Sequence, residues 1–307
     1  MLDVKNSKTF PLKKRKHKVN FKKFAKISNH KTTIGDFMKS LPQILAANDF
    51  QNIVKAIKKS KLKKKPIVWG LGAHVIKTGL NPIFIQLMKK GYVNAIALNG
   101  AGIIHDTELA LVGETSEEVI EGISNGTFGM VRETGEFINK SINLSYQKNK
   151  GIGEVLGSQI IKNHLPYKDH SILAWASKLR IPVTVHVSIG TDIIHMHPNA
   201  DGKAIGEASL KDFMIFSGVI SKMKNGGIFL NVGSNVILPE VFLKAITMAR
   251  NQGHKIGNFD VAVFDFNLHY RPLVNVVKRP VEVLGGKGYY IIGHHEILIP
   301  LLSSTLL

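Results

Sequence analysis

Asp192-Ile193-Ile194-His195-Met196-His197 places a carboxylate and two imidazoles within one short stretch. In an extended segment an H-x-H pair puts both rings on one side. Asp192, His105, His294 and His295 could then complete oxygen and nitrogen ligation of a metal. A metal-dependent hydrolase built on His195, His197 and Asp192 is therefore one expectation. The other is general acid or base work near neutral pH by a single imidazole, for which His105 or His195 qualifies. Two glycine-bearing runs, Asn99-Gly100-Ala101-Gly102 and Gly233-Ser234-Asn235, have the small side chains that let backbone N–H groups approach a phosphate at a helix start. Gly70-Leu71-Gly72-Ala73-His74 follows another expected strand. The chain lacks a P-loop and a G-x-S-x-G elbow, and it has no cysteine. A disulfide scaffold, a Cys nucleophile and a thiolate metal site are thereby excluded.

The elements that must position these residues can be read from the apolar pattern. Strand-length apolar runs lie at 66–71, 95–99, 182–187, 228–233 and 261–266, none with polar alternation, as expected of strands buried on both faces of a parallel sheet. Helical periodicity falls at 34–57, 80–91, 102–123, 132–145, 150–163, 170–178, 208–223, 237–252 and 294–304. Strand, helix, strand in this order predicts right-handed crossovers and an α/β, doubly wound, mostly parallel Rossmann-like sheet. In such a sheet ligands sit beyond the carboxyl ends of the strands, where the polar and glycine residues above are found.

The 307 residues carry a formal charge of +19, and 44% are apolar, enough for a sizeable core. Residues 1–65 hold 19 of the 41 basic side chains against Asp3, Asp36 and Asp49. We expect a basic N-terminal arm over residues 1–32 and a single α/β domain over 33–307. The arm could contact nucleic acid by counterion release, making an RNA-binding, non-enzymatic protein a third expectation, although a solvated arm explains the run as well. No apolar run of about 18 residues predicts a membrane segment, and a soluble cytoplasmic protein is expected.

Several motifs, taken in order, resemble deoxyhypusine synthase. Gly100-Ala101-Gly102-Ile103-Ile104-His105-Asp106 is similar to the family's A-G-G-I-E-E-D segment. The stretch from Ser188 through Asp192 to His197 is similar to D-G-S-L-G-D-M-I-Y-F-H, with Arg180-Ile181-Pro182-Val183 leading into the strand before it. Gly233-Ser234-Asn235 stands where the family has G-G-G, and Arg271-Pro272 where it has A-R-P. Gly293-His294-His295-Glu296 with Ile299-Pro300-Leu301-Leu302 resembles its D-A-S-L-V-F-P-L-L terminus. The resemblance spans roughly residues 35–305. It implies a homotetramer that binds NAD at a subunit interface and oxidises, or transfers a group from, a small polar substrate such as an amine.

Carried over residue by residue, the resemblance implies that NAD contacts Gly72, Asn99, Gly100, Ala101, Gly102, Gly233, Ser234, Asn235, Asp265 and His294. The catalytic positions are His105, Asp192 and His195. The family's imine-forming lysine follows A-R-P in an S-W-G-K run; here Lys278 falls two positions early, and Lys287 is a second candidate. His105 replaces one acid of the family pattern, and Val187 replaces an aspartate.

Overall fold

The computed structural model describes residues 2–307. The five apolar runs form strands β1 (Ile67–Leu71), β2 (Ala95–Asn99), β3 (Val183–His186), β4 (Ile228–Val232) and β5 (Asp260–Asp265). A sixth, β6 (Gly288–Ile292), follows the turn at Gly285-Gly286. All pair in parallel in the order β3-β2-β1-β4-β5-β6. β1, β3 and β4 are buried at every position, whereas β6, at one sheet edge, alternates buried and more open residues. In the sequence β6 is a short apolar run, Tyr289-Tyr290-Ile291-Ile292, behind a glycine-rich turn.

Helices cover both faces: α1 (Ile34–Ser40), α2 (Leu45–Leu62), α3 (Ala73–Lys77), α4 (Asn81–Lys89), α5 (Gly100–Val112), α6 (Val119–Asn125), α7 (Arg132–Gln147), α8 (Ile152–Lys162), α9 (Ile172–Lys178), α10 (Gly202–Ile220), α11 (Ile237–Asn251), α12 (Arg279–Leu284) and α13 (His295–Leu306). Alternate residues of β1 face opposite layers. Ile67, Trp69 and Leu71 pack with α2, α4, α5, α8, α9 and α13, and Val68 packs with α10 and α11. The buried indole of Trp69 is satisfied by donating to Tyr92 O at 2.9 Å.

Two expected helices are split. The run 34–57 breaks into α1 and α2 because Pro42 forces Leu41 into an extended conformation, φ −62° and ψ 150°. The run 102–123 breaks at Gly113, whose φ of 78° ends α5 in a left-handed cap. α10 starts earlier than its periodicity suggests, because Asp201 caps it by accepting from the N–H groups of Lys203 and Ala204. Residues 272–278 form a π-helical segment leading into α12.

Residues 2–33 form only isolated 3-10 turns and leave Phe10, Phe21 and Phe24 exposed. Backbone bonds from Lys26 N to Ser40 O (2.8 Å) and from Gln43 N to Lys23 O (2.9 Å) tie this arm to the α1 region. Among the described residues no helix is long and apolar enough to cross a membrane.

The chain runs outward from β1 to β3 on one side and from β4 to β6 on the other. The carboxyl ends of β1 and β4 therefore mark a topological switch point on what we term the upper edge.

Candidate functional site

The loops after β1 and β4 meet at the switch point. A Cβ on Gly72 would lie 2.0 Å from Gly233 O, so only hydrogen at that position lets the two turns touch backbone to backbone. Gly233, at φ 66°, in turn lies under the ring of His295, which would be 2.7 Å from an added Cβ. The Nε2 of His295 donates to Phe264 O at 3.1 Å, which leaves Nδ1 as a bare acceptor. Burial lowers the His295 pKa, outweighing the carbonyl of Phe264 and the charge of Asp265, so the ring is held neutral.

Around Gly233, the buried atoms His295 Nδ1, Asn235 Oδ1 and Asp265 Oδ2 have no hydrogen-bond partner. All three are acceptors. A phosphate, itself an acceptor, would be repelled here, whereas ribose hydroxyls or a carboxamide would supply the missing donors. The residues thus fit the sugar or amide part of a dinucleotide. The N–H groups of Gly72 and Gly233 are already spent on Val232 O (2.8 Å) and Phe264 O (3.0 Å), so they offer no donor to its phosphates.

The start of α5 differs from the expected phosphate cradle. Asn99 already accepts from Gly102 N at 3.0 Å. The carboxylate of Asp192 lies over Gly100, 1.9 Å from where a Cβ would stand, and accepts from the N–H of Ala101. The helix start is therefore filled by the protein's own acid, and a phosphate there would meet a carboxylate. This corrects the phosphate role expected of Asn99, Gly100, Ala101 and Gly102. Burial pushes the Asp192 carboxyl up to about 6, against the Ala101 N–H bond.

His195 faces Asp192 rather than open space. Its Nδ1 receives the N–H groups of Gly190 (3.1 Å) and Asp192 (3.4 Å), which fixes the Nε2–H tautomer. That Nε2 lies 4.0 Å from Asp192 Oδ2, with neither atom hydrogen-bonded, and burial lowers the His195 pKa. His197 points elsewhere, its Nε2 donating to Gly129 O at 2.8 Å and its ring packed under Gly135. Residues 193–196 form a 3-10 turn, not a strand, so the two imidazoles diverge. No group of three or more potential ligands that could hold a metal occurs among the described residues. The metal-ligand set expected from His195 and His197 is not assembled.

A cavity of about 720 Å³ opens beside α5, lined by His105, Glu108, Glu114, Glu117, Asp192 and Lys77 among others. His105 and Glu108 share a face because they are three residues apart on α5. Thr115 Oγ1 donates to Glu108 Oε2 at 2.5 Å, so it must accept from His105 Nδ1 at 2.7 Å. The Glu108–Thr115–His105 chain fixes the Nδ1–H tautomer and leaves the Nε2 lone pair free for proton transfer. Burial of Glu108 opposes its ionisation, but bonds from His105, Thr115 and Thr134 outweigh it and hold the carboxyl below its ordinary range. The cavity is rich in carboxylates within a chain of formal charge +19.

The upper edge gathers Gly72, Asn99 to Gly102, His105, Asp192, Gly233, Ser234, Asn235 and Asp265. It does not gather the two candidate lysines. Lys287 N donates to Asp260 Oδ1, at the opposite end of β5, and Lys278 follows Val277, whose carbonyl abuts Gly288 at the start of β6. Both lie at the lower edge because the 272–284 segment has already crossed the sheet to begin β6. His294 is exposed, and its neighbour His295 is the ring that enters the crevice. The sequence does not single out Glu108, Thr115 or Lys77, and it offers His295 only as a possible metal ligand. The His105/Glu108 spacing was a readable signal, whereas the contact with Thr115 needs the loop after α5 to fold back.

No family model matches the chain, and neither does any curated protein. Among solved structures, it is similar to a candidate deoxyhypusine synthase from Entamoeba histolytica, at 11% identity and TM-score 0.51, covering 94% of this chain and 95% of that one. The chain has a deoxyhypusine synthase-like fold. It is also similar to a candidate LOR/SDH protein from Methanococcus maripaludis S2, at 15% identity and TM-score 0.50, covering 84% of this chain and 68% of that one. AgrE, solved in a ternary complex with ornithine and NAD+, matches at 15% identity and TM-score 0.51 over 87% of this chain. The chain spans 34% of AgrE and 33% of the cyanobacterial arginine dihydrolase ArgZ. The α/β, parallel Rossmann-like architecture expected from the sequence is the one observed.

Proposed function

We propose that this protein is an NAD-binding enzyme that oxidises, or transfers a group from, a small amine held in the acidic cavity beside α5. The observation that carries this reading is the juxtaposition in that cavity of a free imidazole lone pair with several carboxylates. Glu114, Glu117 and Asp192 would hold a cationic substrate, and His105 Nε2 would take the proton lost as the carbon–nitrogen centre is oxidised. Glu108, acting through Thr115, would keep the ring in the required tautomer and balance the imidazolium. The ribose would be held by the orphaned acceptors of Asp265, Asn235 and His295. When bound, the nicotinamide would supply the hydride acceptor. Exposed Phe266, Leu268, Tyr270 and Ile297 flank the crevice and support its closure within a homo-oligomer such as a tetramer.

Millimolar NAD tests the reading. At a hundredfold excess over Kd, binding adds about 2.7 kcal/mol and raises Tm by roughly 4 °C. Asp265→Ala should abolish that shift. Flat melting curves of the parent protein at millimolar NAD would overturn the assignment.

A further inference from the structure

The lower edge of the sheet is as basic as the upper cavity is acidic. Four chain segments, 58–65, 222–228, 250–260 and 278–287, lead into β1, β4, β5 and β6, and together they carry thirteen Lys and Arg against Asp260 and Glu282. Those strands are consecutive in the sheet, so segments distant in the chain lie side by side over about 15 Å.

The contacts are direct. Lys224 pairs with Gly257 as an isolated parallel bridge, Gly226 N donates to Asn258 O at 2.8 Å, and Asn258 N donates to Leu284 O at 2.8 Å. Lys65 packs on Gly226, its Cγ 3.2 Å from where a Cβ would stand. Burial pushes the Asp260 carboxyl up, and the charges of Lys59 and Lys287 pull against it, which places both ammonium groups around one acid. Between the segments runs a groove of about 300 Å³ lined by Lys224, Arg250 and Lys255.

Few of these cations have a partner: Lys61 lies over the Tyr92 ring at 3.8 Å, Arg279 donates to Asn275 at 2.8 Å, and Lys59 and Lys287 share the charge of Asp260. Among the described residues, no Lys or Arg of the four segments is ion-paired. Like charges crowded without partners raise the energy of the free protein, and a polyanion relieves it by releasing its own counterions.

We infer that this lower face, centred on the groove between Lys224, Arg250 and Lys255, holds the phosphodiester backbone of a double-stranded nucleic acid. Leu62 and Val283 are the large apolar side chains these segments expose, and no aromatic accompanies them. A membrane anchor would need more apolar surface, and single-strand binding would need stacking rings. Contact through cations alone is independent of base sequence. If about five phosphates are neutralised, log K falls with log[salt] at a slope of about −4.5. That is a loss of roughly 10²- to 10³-fold between about 50 and 200 mM salt.

Anisotropy of labelled RNA and DNA duplexes, titrated with the full chain across that salt range, tests the inference and distinguishes the two sources. Lys224→Glu/Arg250→Glu/Lys255→Glu should weaken binding at least tenfold and flatten the salt slope by about 2.7. Lys224→Gln/Lys255→Gln, a milder change, should flatten it by about 1.8, and decides the matter where the triple variant does not melt cooperatively. Substituting Lys13, Lys14, Arg15 and Lys16 with Gln should leave the groove-dependent loss in place. The inference is overturned if both groove variants keep the parent's affinity and slope, if the arm variant alone abolishes binding, or if phosphatidylserine vesicles outcompete both duplexes.

Discussion

Asp192 is the group whose removal reports most directly on the upper edge, because its environment sets two opposing terms. The carboxyl sits at the start of α5, where an N–H bond from Ala101 favours its charge, yet burial dominates and raises its pKa to about 6 from 3.8. That difference corresponds to about 3 kcal/mol at about 1.36 kcal/mol per unit. The sign follows from the direction. With the folded-state value above the unfolded one, the contribution is fully present below about pH 3.8. It is lost as pH rises through about 6, because ionisation then leaves a buried charge 4.0 Å from a neutral His195. Asp192→Asn removes the titration while keeping an oxygen that can cap Ala101. Relative to the parent, the variant should gain about 2.5 kcal/mol between pH 4 and pH 8, seen as a Tm difference that moves by roughly 4 °C across the range. Groups remote from Asp192 and His195 titrate equally in both proteins and cancel in the difference. Melting curves whose Tm difference stays constant within about 1 °C from pH 4 to 8 would refute the claim that this carboxyl is held against its ionisation.

Thr115→Val is expected to lower kcat on an amine substrate about 10- to 100-fold with little change in Tm. It removes the hydroxyl that links Glu108 to His105 and lies at the wall of the cavity; kcat within twofold of the parent would remove the relay from the mechanism. Lys278→Ala and Lys287→Ala should each leave turnover within about twofold, whereas Lys77→Ala, at the cavity wall, should alter KM or kcat severalfold. An activity loss confined to Lys278→Ala or Lys287→Ala in steady-state assays would contradict the placement of those lysines at the lower edge.

What could be read in advance follows the reach of each interaction. Strands β1 to β5 are written in local apolar runs, because a strand buried on both faces needs no partner-specific pattern. The convergence of Gly72, Asp192 and Gly233 on one edge follows from strand order alone. β6 is not legible as a sixth strand because its run, Tyr289-Tyr290-Ile291-Ile292, is only four apolar residues long behind Gly285 and Gly286. That Asp192 also occupies the start of α5 and faces His195 is not legible, because neither sequence spacing nor composition shows that a distant carboxylate will settle there. His294 was preferred to His295 on equal local grounds. Which of two adjacent histidines turns inward depends on the register of α13 against Gly233, a long-range fact.

The same strand order explains how one chain of charge +19 can offer a cationic ligand an acidic cavity. Loops at the carboxyl ends of β1, β2 and β3 bring Lys77 against Glu108, Glu114 and Asp192, while loops entering β1, β4, β5 and β6 collect unpaired lysines. The two surfaces are separated by at least the length of a five-residue strand, about 17 Å. That is twice the screening length of about 8 Å at physiological ionic strength, so the basic face contributes little repulsion inside the cavity. At about 0.01 M salt the screening length grows to about 30 Å and exceeds the separation. Amine affinity should then fall, and a duplex bound at the lower face should restore it by neutralising the lysines. An affinity that strengthens as salt is lowered, with or without duplex, would mean that the cavity's own carboxylates outweigh the rest of the chain at every range.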